Sequence, residues 1–393
     1  MDLTPEMKAF IREHLTEDTG KLLLTASRFP NIDVPFAIDQ ILARRQIREK
    51  LPFWFMQEDL IYPSRLSAEQ CSSESTALYK QRLLAGNTLC DLTGGLGIDS
   101  FYFAQKAKEV CYIERFPEYC EAARHNFRQL KAGNIRIIQA DSREIVNELS
   151  ADTFYIDPAR RSECNKRIFA LNECEPDVIR LKPILLGHSR RLIVKISPMA
   201  DIGETLRLLP ETREIHILAV KNECKELLFV LEGNVPASDV TIHAVHLGSD
   251  GSEQDFVFHP DEEKEASLHT TQQVGKYLYE PHTALLKSGA FKLIAIRFGL
   301  SKLHRHSHLY TSDNRCEQFP GRTFFIENVY DFSGKLLKQL GKEIPKANMT
   351  TRNFPLSVAE LRKRSNIKEG GSIYLFATTL NNEHKILIRA RKA

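Results

Sequence analysis

Between residues 88 and 160, four short apolar runs alternate with segments of helical character, and each run ends at or beside an acid. The runs at 88–92, 110–113, 135–140 and 153–156 lead to Asp91, Glu114, Asp141 and Asp157. Short, nearly continuous apolar strands separated by helices predict a parallel sheet wound with helices on both faces. Such a sheet gathers ligands at the carboxyl ends of its strands. An acid at every one of those ends describes a ligand-binding edge, which packing alone does not require.

The first strand runs into Thr93-Gly94-Gly95-Leu96-Gly97-Ile98-Asp99, followed by an amphipathic helix at 100–106. Glycines at such a turn let backbone approach a ligand and open a helix N-terminus toward it. The dinucleotide fingerprint G-x-G-x-x-G is incomplete, because Ser100 stands where its third glycine belongs. Asp99 and Asp141 also read as helix N-caps, so either acid alone would suit an ordinary α/β core.

The order Asp91, then Gly95-x-Gly97, then Glu114 closing the second strand resembles motif I of the class I S-adenosylmethionine-dependent methyltransferases. The resemblance implies a Rossmann-like core of seven strands whose last strand inserts antiparallel. It implies that Asp91 and the turn of Thr93, Gly94, Gly95, Gly97, Ile98 and Asp99 face the methionine part of the cofactor. Glu114, with Arg115 beside it, would take the ribose hydroxyls, and Asp141 with Ser142 would lie by the adenine. Hydroxyls and exocyclic amines donate and carboxylates accept, so the chemistry is consistent. The helix before motif I often lies over the cofactor in this family, which adds Gln70, Ser73 and Thr76, with Lys80 further along, as candidate contacts.

The fourth run ends in Asp157-Pro158-Ala159-Arg160. This resembles the (D/N)PP(Y/F) motif of amino-directed nucleic-acid methyltransferases, with Ala159 and Arg160 replacing the second proline and the aromatic. Asp157, Pro158 and Arg160 are therefore the expected catalytic group. Asp157 would also touch the cofactor, and Arg160 would stack on a base or hold a phosphate. RNA uridine C5-methyltransferases place a cysteine nucleophile after the fifth strand. Here residues 196–199 read Ile-Ser-Pro-Met and Cys164 lies in another segment, which excludes covalent uridine chemistry. A ring or exocyclic nitrogen is the better target.

Charge localises the partner. Residues 330–393 hold 13 Lys and Arg against 5 Asp and Glu, a balance of +8, whereas the whole chain carries +3. The rest of the chain is then at −5, and a basic terminal segment on such a body points to a polyanion; a merely solvated basic surface is the bland reading. The eight cysteines include no C-x-x-C pair and read as small core residues of a reducing cytosol. The first residues carry both charge signs and read as a helix, and no apolar run has the length of a membrane span. His304, His306 and His308 alternate as on one strand face, where a polar surface or phosphate contact is expected ahead of a metal site.

These readings give an N-terminal helical extension (1–85), a methyltransferase domain (86–233) and an α+β region. Within that region, phrases at 277–291, 350–379 and 384–392 resemble the ferredoxin-like and THUMP-like modules of a bacterial methyltransferase group, giving divisions at 234–322 and 323–393. In detail, 67–80 reads as one helix, 248–259 as a polar loop and 277–292 as a turn and helix. The expected protein is a cytoplasmic, S-adenosylmethionine-dependent methyltransferase of a base nitrogen in structured RNA, without metal or membrane. The alternative is a methyltransferase of a small molecule or protein whose C-terminal region makes a homodimer.

Overall fold

The four apolar runs become β1 (Thr88–Asp91), β2 (Glu109–Glu114), β3 (Ile135–Gln139) and β4 (Thr153–Ile156) in the computed structural model. The structure describes residues 3–160, 171, 174–233 and 240–393, and of Arg160 the backbone alone. The long loop expected after Arg160, Cys164 included, therefore lies almost wholly outside the described residues. The chain forms two units: Met1–Ile215 with Glu226–Asp239, and His216–Lys225 with Val240–Ala393.

In the first unit a short antiparallel ribbon follows β4, from β5 (Ala159–Arg160) and β6 (Cys174–Glu175). Then come β7 (Arg191–Ile196) and the hairpin of β8 (Thr212–Val220) and β9 (Glu223–Leu231), of which His216–Lys225 counts with the second unit. Within a nine-stranded sheet these seven strands lie in the order β8-β9-β7-β4-β1-β2-β3. β1, β2, β3, β4 and β7 pair in parallel, and β9 runs antiparallel to β7. This is the Rossmann-like strand order, with an inverted last strand, that the resemblance implies. Lys221 and Asn222 both have positive φ and turn β8 into β9, a two-residue connection suited to the strand twist.

The N-terminal helices start where their caps dictate. Thr4 accepts from the Met7 N–H ahead of Pro5–Glu13, and Asp33 accepts from the Phe36 N–H ahead of Val34–Ile47. Ala37 and Ile41 are fully buried on the second of these helices. Segment 60–62 is buried without regular structure, and side-chain amides satisfy its backbone. Gln40 bonds both ways to Tyr62 at 2.9 Å, and Asn126 both ways to Ile61 at 2.8 Å. Buried backbone demands such partners, so Gln40 ties the segment to helix Val34–Ile47 within the extension, and Asn126 fastens it to helix Pro117–Gln129. The helix expected over 67–80 is two helices, Arg65–Gln70 and Glu74–Lys80, because Ser73 caps the second through the Thr76 N–H.

The second unit holds β10 (Thr241–Leu247), β11 (Glu253–Phe258) and a sheet of β12 (Tyr277–Pro281), β13 (Ser301–Lys302), β14 (Tyr310–Ser312), β15 (Gly321–Asp331), β16 (Asn348–Arg352), β17 (Ile373–Thr379) and β18 (Lys385–Lys392). The order is β13-β14-β12-β15-β18-β17-β16. Helices Gly334–Glu343 and Val358–Ser365 bury Leu337, Leu340 and Leu361 in a core shared with Leu375 and Leu387.

Three expectations fail here. The polar loop at 248–259 contains β11, with Phe256 and Phe258 buried on its inner face. Residues 277–281 are a strand, not a turn. His304, His306 and His308 lie in the connection from β13 to β14, not on a strand: His304 Nδ1 accepts from the His306 N–H at 3.0 Å, and His308 has positive φ. Among the described residues no helix is long and apolar enough to cross a membrane.

Candidate active site

At the carboxyl edge of β1, Asp91 is buried and accepts from Ser100 Oγ at 2.6 Å and from the Thr93 N–H at 3.1 Å. Burial outweighs these donors and pushes its carboxyl up to about 7. The glycines that follow are needed for separate reasons. A Cβ on Gly94 would stand 2.3 Å from the Tyr112 ring, so Gly94 exists to let β2 come close. Gly97 has φ +84° and would meet Phe127 at 2.7 Å. Gly95 has φ +52° and no close neighbour, so it is the one whose backbone faces open space.

β2 holds this turn from the other side. Tyr112 OH donates to the Gly95 carbonyl at 2.6 Å, and Gly95 N–H donates to Glu114 Oε2 at 2.9 Å. Glu114 Oε1 accepts from the Phe116 N–H at 3.0 Å. The carboxylate is thus aimed by two backbone donors before any ligand arrives. The turn, Glu114, Arg115, Phe116, Asp141, Ser142 and Asp157 line one cavity of about 250 Å³, together with Gln70, Cys71, Ser72, Glu175 and Pro176.

Asp141 caps helix Ser142–Ile145 by accepting from the Arg143 N–H at 3.0 Å. The Arg143 guanidinium also donates to it at 2.9 and 2.5 Å, and holds this carboxyl below the usual carboxylate range. Arg143 pairs in addition with Glu175, as does Arg115 at 3.3 Å. Much of the accepting capacity expected to meet an adenine is therefore taken by Arg143, and Glu175 joins this corner unforeseen.

Beneath the opposite wall lies a buried network of ionic groups. Lys80, without solvent exposure, pairs with Asp99 at 2.8 Å and Glu226 at 3.1 Å. Ser72 Oγ and Tyr155 OH both donate to Asp99 Oδ2 at 2.8 Å. Burial pushes Asp99 up, but Lys80 and Lys195 outweigh it and hold the carboxyl below its ordinary value. Asp157 donates its N–H to Thr93 Oγ1 at 2.7 Å, and its carboxylate lies 2.5 Å from Lys195 Nζ.

These placements amend the expected site. Asp99 borders the cavity and is also bound to Lys80, Ser72 and Tyr155 in the network. Ser73 and Thr76 do not line the cavity; Ser73 caps its helix and Thr76 donates to the Ser73 carbonyl at 3.1 Å. Pro158 precedes Ala159, which does line it, and the Arg160 side chain lies outside the described residues. Lys195, Glu226, Tyr155 and Ser72 escaped the sequence reading. The one available signal was a lysine inside the apolar run 192–196.

A solved structure from Porphyromonas gingivalis W83, assigned as a methyltransferase, is 40% identical, with a TM-score of 0.89 over 99% of this chain and 98% of that one. The present chain belongs to that methyltransferase family. The ferredoxin-like domain family matches residues 277–320, and the THUMP domain-like family matches residues 321–392. An uncharacterized S-adenosylmethionine-dependent methyltransferase of Mycobacterium tuberculosis is 24% identical over 85% of this chain and 89% of its own length. Ribosomal RNA small subunit methyltransferase J of Agrobacterium fabrum is 32% identical over 131 residues; the match covers 29% of this chain and 63% of that relative. The protein is a class I methyltransferase, and its cofactor is S-adenosylmethionine.

The cavity suits that cofactor by the chemistry of its lining. Asp91, Glu114, Asp141 and Asp157 offer acceptors to a ligand rich in donors and carrying positive charge. Gly95 leaves room for it.

Proposed function

We propose that this methyltransferase modifies a base nitrogen in structured RNA, with Asp157 as the group that receives the target amine. Asp157 carries the reading: it follows β4, lines the cavity beside the glycine turn, and has a carboxylate paired with a largely buried lysine. The ribosomal RNA methyltransferase among its relatives supports an RNA substrate. So does the terminal segment, in which Lys335, Lys338 and Lys342 are exposed along one helix and Lys363, Arg364 and Lys368 lie exposed in or just beyond another. A polyanion is held by such charges without regard to sequence, while a base is read by close polar contacts.

Within the cavity, Glu114 would hold the ribose hydroxyls, Asp141 and Ser142 would sit by the adenine, and Asp91 with the glycine turn would hold the methionine part. When bound, S-adenosylmethionine supplies a methyl group on a sulfonium. The chain's part is to orient and to exclude water. Asp157 accepts a hydrogen bond from the target N–H and so turns the nitrogen lone pair toward the cavity. Arg160 holds the base or a phosphate. The four-part division with boundaries near 85, 233 and 322 and a cytoplasmic place of work belong to the same reading.

The test is methyl transfer from labelled cofactor to total bacterial RNA, run in parallel with protein and metabolite fractions. Label in an RNA base nitrogen, lost in Asp157→Ala at unchanged cofactor affinity, supports the reading. Label confined to protein or small molecules refutes it.

A further inference from the structure

Asp157 and Lys195 are brought together by register. β4 and β7 are parallel neighbours with Ile156 opposite Val194, so the next residue on each strand, Asp157 and Lys195, emerge side by side. The lysine approaches from the interior: its side chain is 13% exposed, that of Asp157 38%. Lys195 Nζ stands 2.5 Å from Asp157 Oδ2, 3.4 Å from Ser72 Oγ and 3.9 Å from Glu226.

The groups facing this ammonium come from every neighbouring element. Asp157 and Tyr155 come from β4 and its end, Glu226 from β9, Asp99 from helix Ile98–Ala104, Lys80 from helix Glu74–Lys80, and Cys71 and Ser72 from the segment before that helix. Burial would strip the proton from an isolated lysine here, but Asp157, Glu226 and Asp99 outweigh it and keep the ammonium charged. Two lysines thus face three carboxylates in this cluster. A lysine in such a place is held by geometry on all sides, and its contacts with Asp157 and Ser72 reach the cavity wall.

We propose that Lys195 is a positioning residue for methyl transfer, clamping the Asp157 carboxylate in one orientation and in its ionised form. The inference rests on the reading of Asp157 given above. As the N–C bond to the target nitrogen forms and the S–C bond breaks, the bonding pair stays on sulfur and positive charge appears on the nitrogen. An ionised carboxylate hydrogen-bonded to that N–H stabilises the charge, and the proton then leaves to water. With its charge already shared with Lys195, Asp157 acts as an acceptor and orienter and is poorly suited to carry the proton away.

Lys195→Met keeps the length of the side chain and removes the charge; Lys195→Gln is the second variant should the first not fold. Two measurements are made on full-length protein. In protein labelled with 13C at aspartate carboxyls, the Asp157 signal is the one missing from Asp157→Asn. In Lys195→Met this signal is expected to move with pH over a range where the wild-type signal is already constant. Identical pH behaviour in the two proteins overturns the clamp, whatever the RNA assay gives. In single-turnover transfer to total bacterial RNA, Lys195→Met is expected to be roughly 10- to 100-fold slower, with the acidic limb of its pH profile moved upward. S-adenosylhomocysteine affinity should stay within about threefold, as expected of a residue that acts on the acceptor side. A wild-type rate and pH profile in Lys195→Met also overturns the inference. Full activity in Asp157→Asn removes the reading beneath it, and the carboxyl signal tells that failure apart from failure of the clamp.

Discussion

On the proposed reading Asp91 should make cofactor affinity a function of pH, and the size of the effect follows from its environment. The buried carboxyl titrates near 7, against 3.8 for a free aspartate. Between these values the folded protein holds a proton that the unfolded chain releases. The stability Asp91 contributes is therefore fully present below 3.8 and is lost as pH rises toward about 7. The loss is on the order of 4 kcal/mol at about 1.4 kcal/mol per pH unit. A cationic ligand in the cavity reverses the sense, because it favours the ionised acid. If only the ionised form binds well, apparent affinity scales with the ionised fraction, so affinity at pH 6 should be roughly tenfold weaker than at pH 8. The cofactor's own α-amino group, near 8, stays charged through the lower part of this range. Asp141 and Asp99 are held low by their cationic partners and do not titrate in it. Calorimetry in two buffers of different ionisation enthalpy, at pH 6.5, should detect release of a fraction of a proton on binding. Asp91→Asn should abolish both the release and the pH dependence, and weaken binding at pH 8 by about 1.5–3 kcal/mol. Flat affinity from pH 6 to 8 in the wild type, or equal proton release in wild type and Asp91→Asn, would refute the reasoning.

Glu114→Ala should weaken S-adenosylmethionine by about 2–3 kcal/mol through lost charge-assisted bonds, and unchanged affinity in a folded variant by calorimetry would remove its assignment. Replacing Lys335, Lys338 and Lys342 together with alanine should lower the slope of log affinity for RNA against log salt by up to about 2–3, while cofactor binding stays as it was; an unchanged slope sends the RNA elsewhere. Lys80→Met strands Asp99 and Glu226 in the interior and should destabilise the protein by about 3–5 kcal/mol in chemical denaturation, with a loss under 1 kcal/mol showing that the network relaxes easily.

What the sequence discloses and what it hides divide along one physical line. The strands of the first unit are legible to within three or four residues because both faces of the sheet are covered, and a doubly buried strand writes itself as a continuous apolar run. The glycine turn and Glu114 are legible because a special backbone shape and a strand-end acid sit within 24 residues of one another. The network below them is not, because no local pattern encodes it. Lys195 meets Asp157 across 38 residues, and Lys80 meets Glu226 across 146. Each charge, read alone, looks like solvent-facing polarity. The same blindness explains the missed β12: Glu280 appears to interrupt an apolar strand, yet it is buried with Arg322 at 3.0 Å and Arg352 at 2.9 Å, 42 and 72 residues away. Likewise β11 opens with Glu253-Gln254-Asp255, which conceals the alternation that buries Phe256 and Phe258.

A buried charge is stable only if the fold delivers its partner, so its presence is a statement about tertiary structure that local periodicity has no means to express. At Glu280 the statement concerns folding alone, since two arginines enclose one acid. At Asp157, on the reading proposed above, it would concern chemistry, since the lysine approaches from within and the carboxylate borders the cavity. A pair built only for stability would gain nothing from that asymmetry, and replacing it with apolar side chains of the same volume is often neutral or stabilising. Apolar replacement of both Asp157 and Lys195 should therefore leave denaturant stability within about 1 kcal/mol of the wild type or raise it, while methyl transfer is lost. A double variant several kcal/mol less stable, with the transfer rate of its folded fraction intact, would make the pair structural and return the acid at the end of β4 to the scaffold.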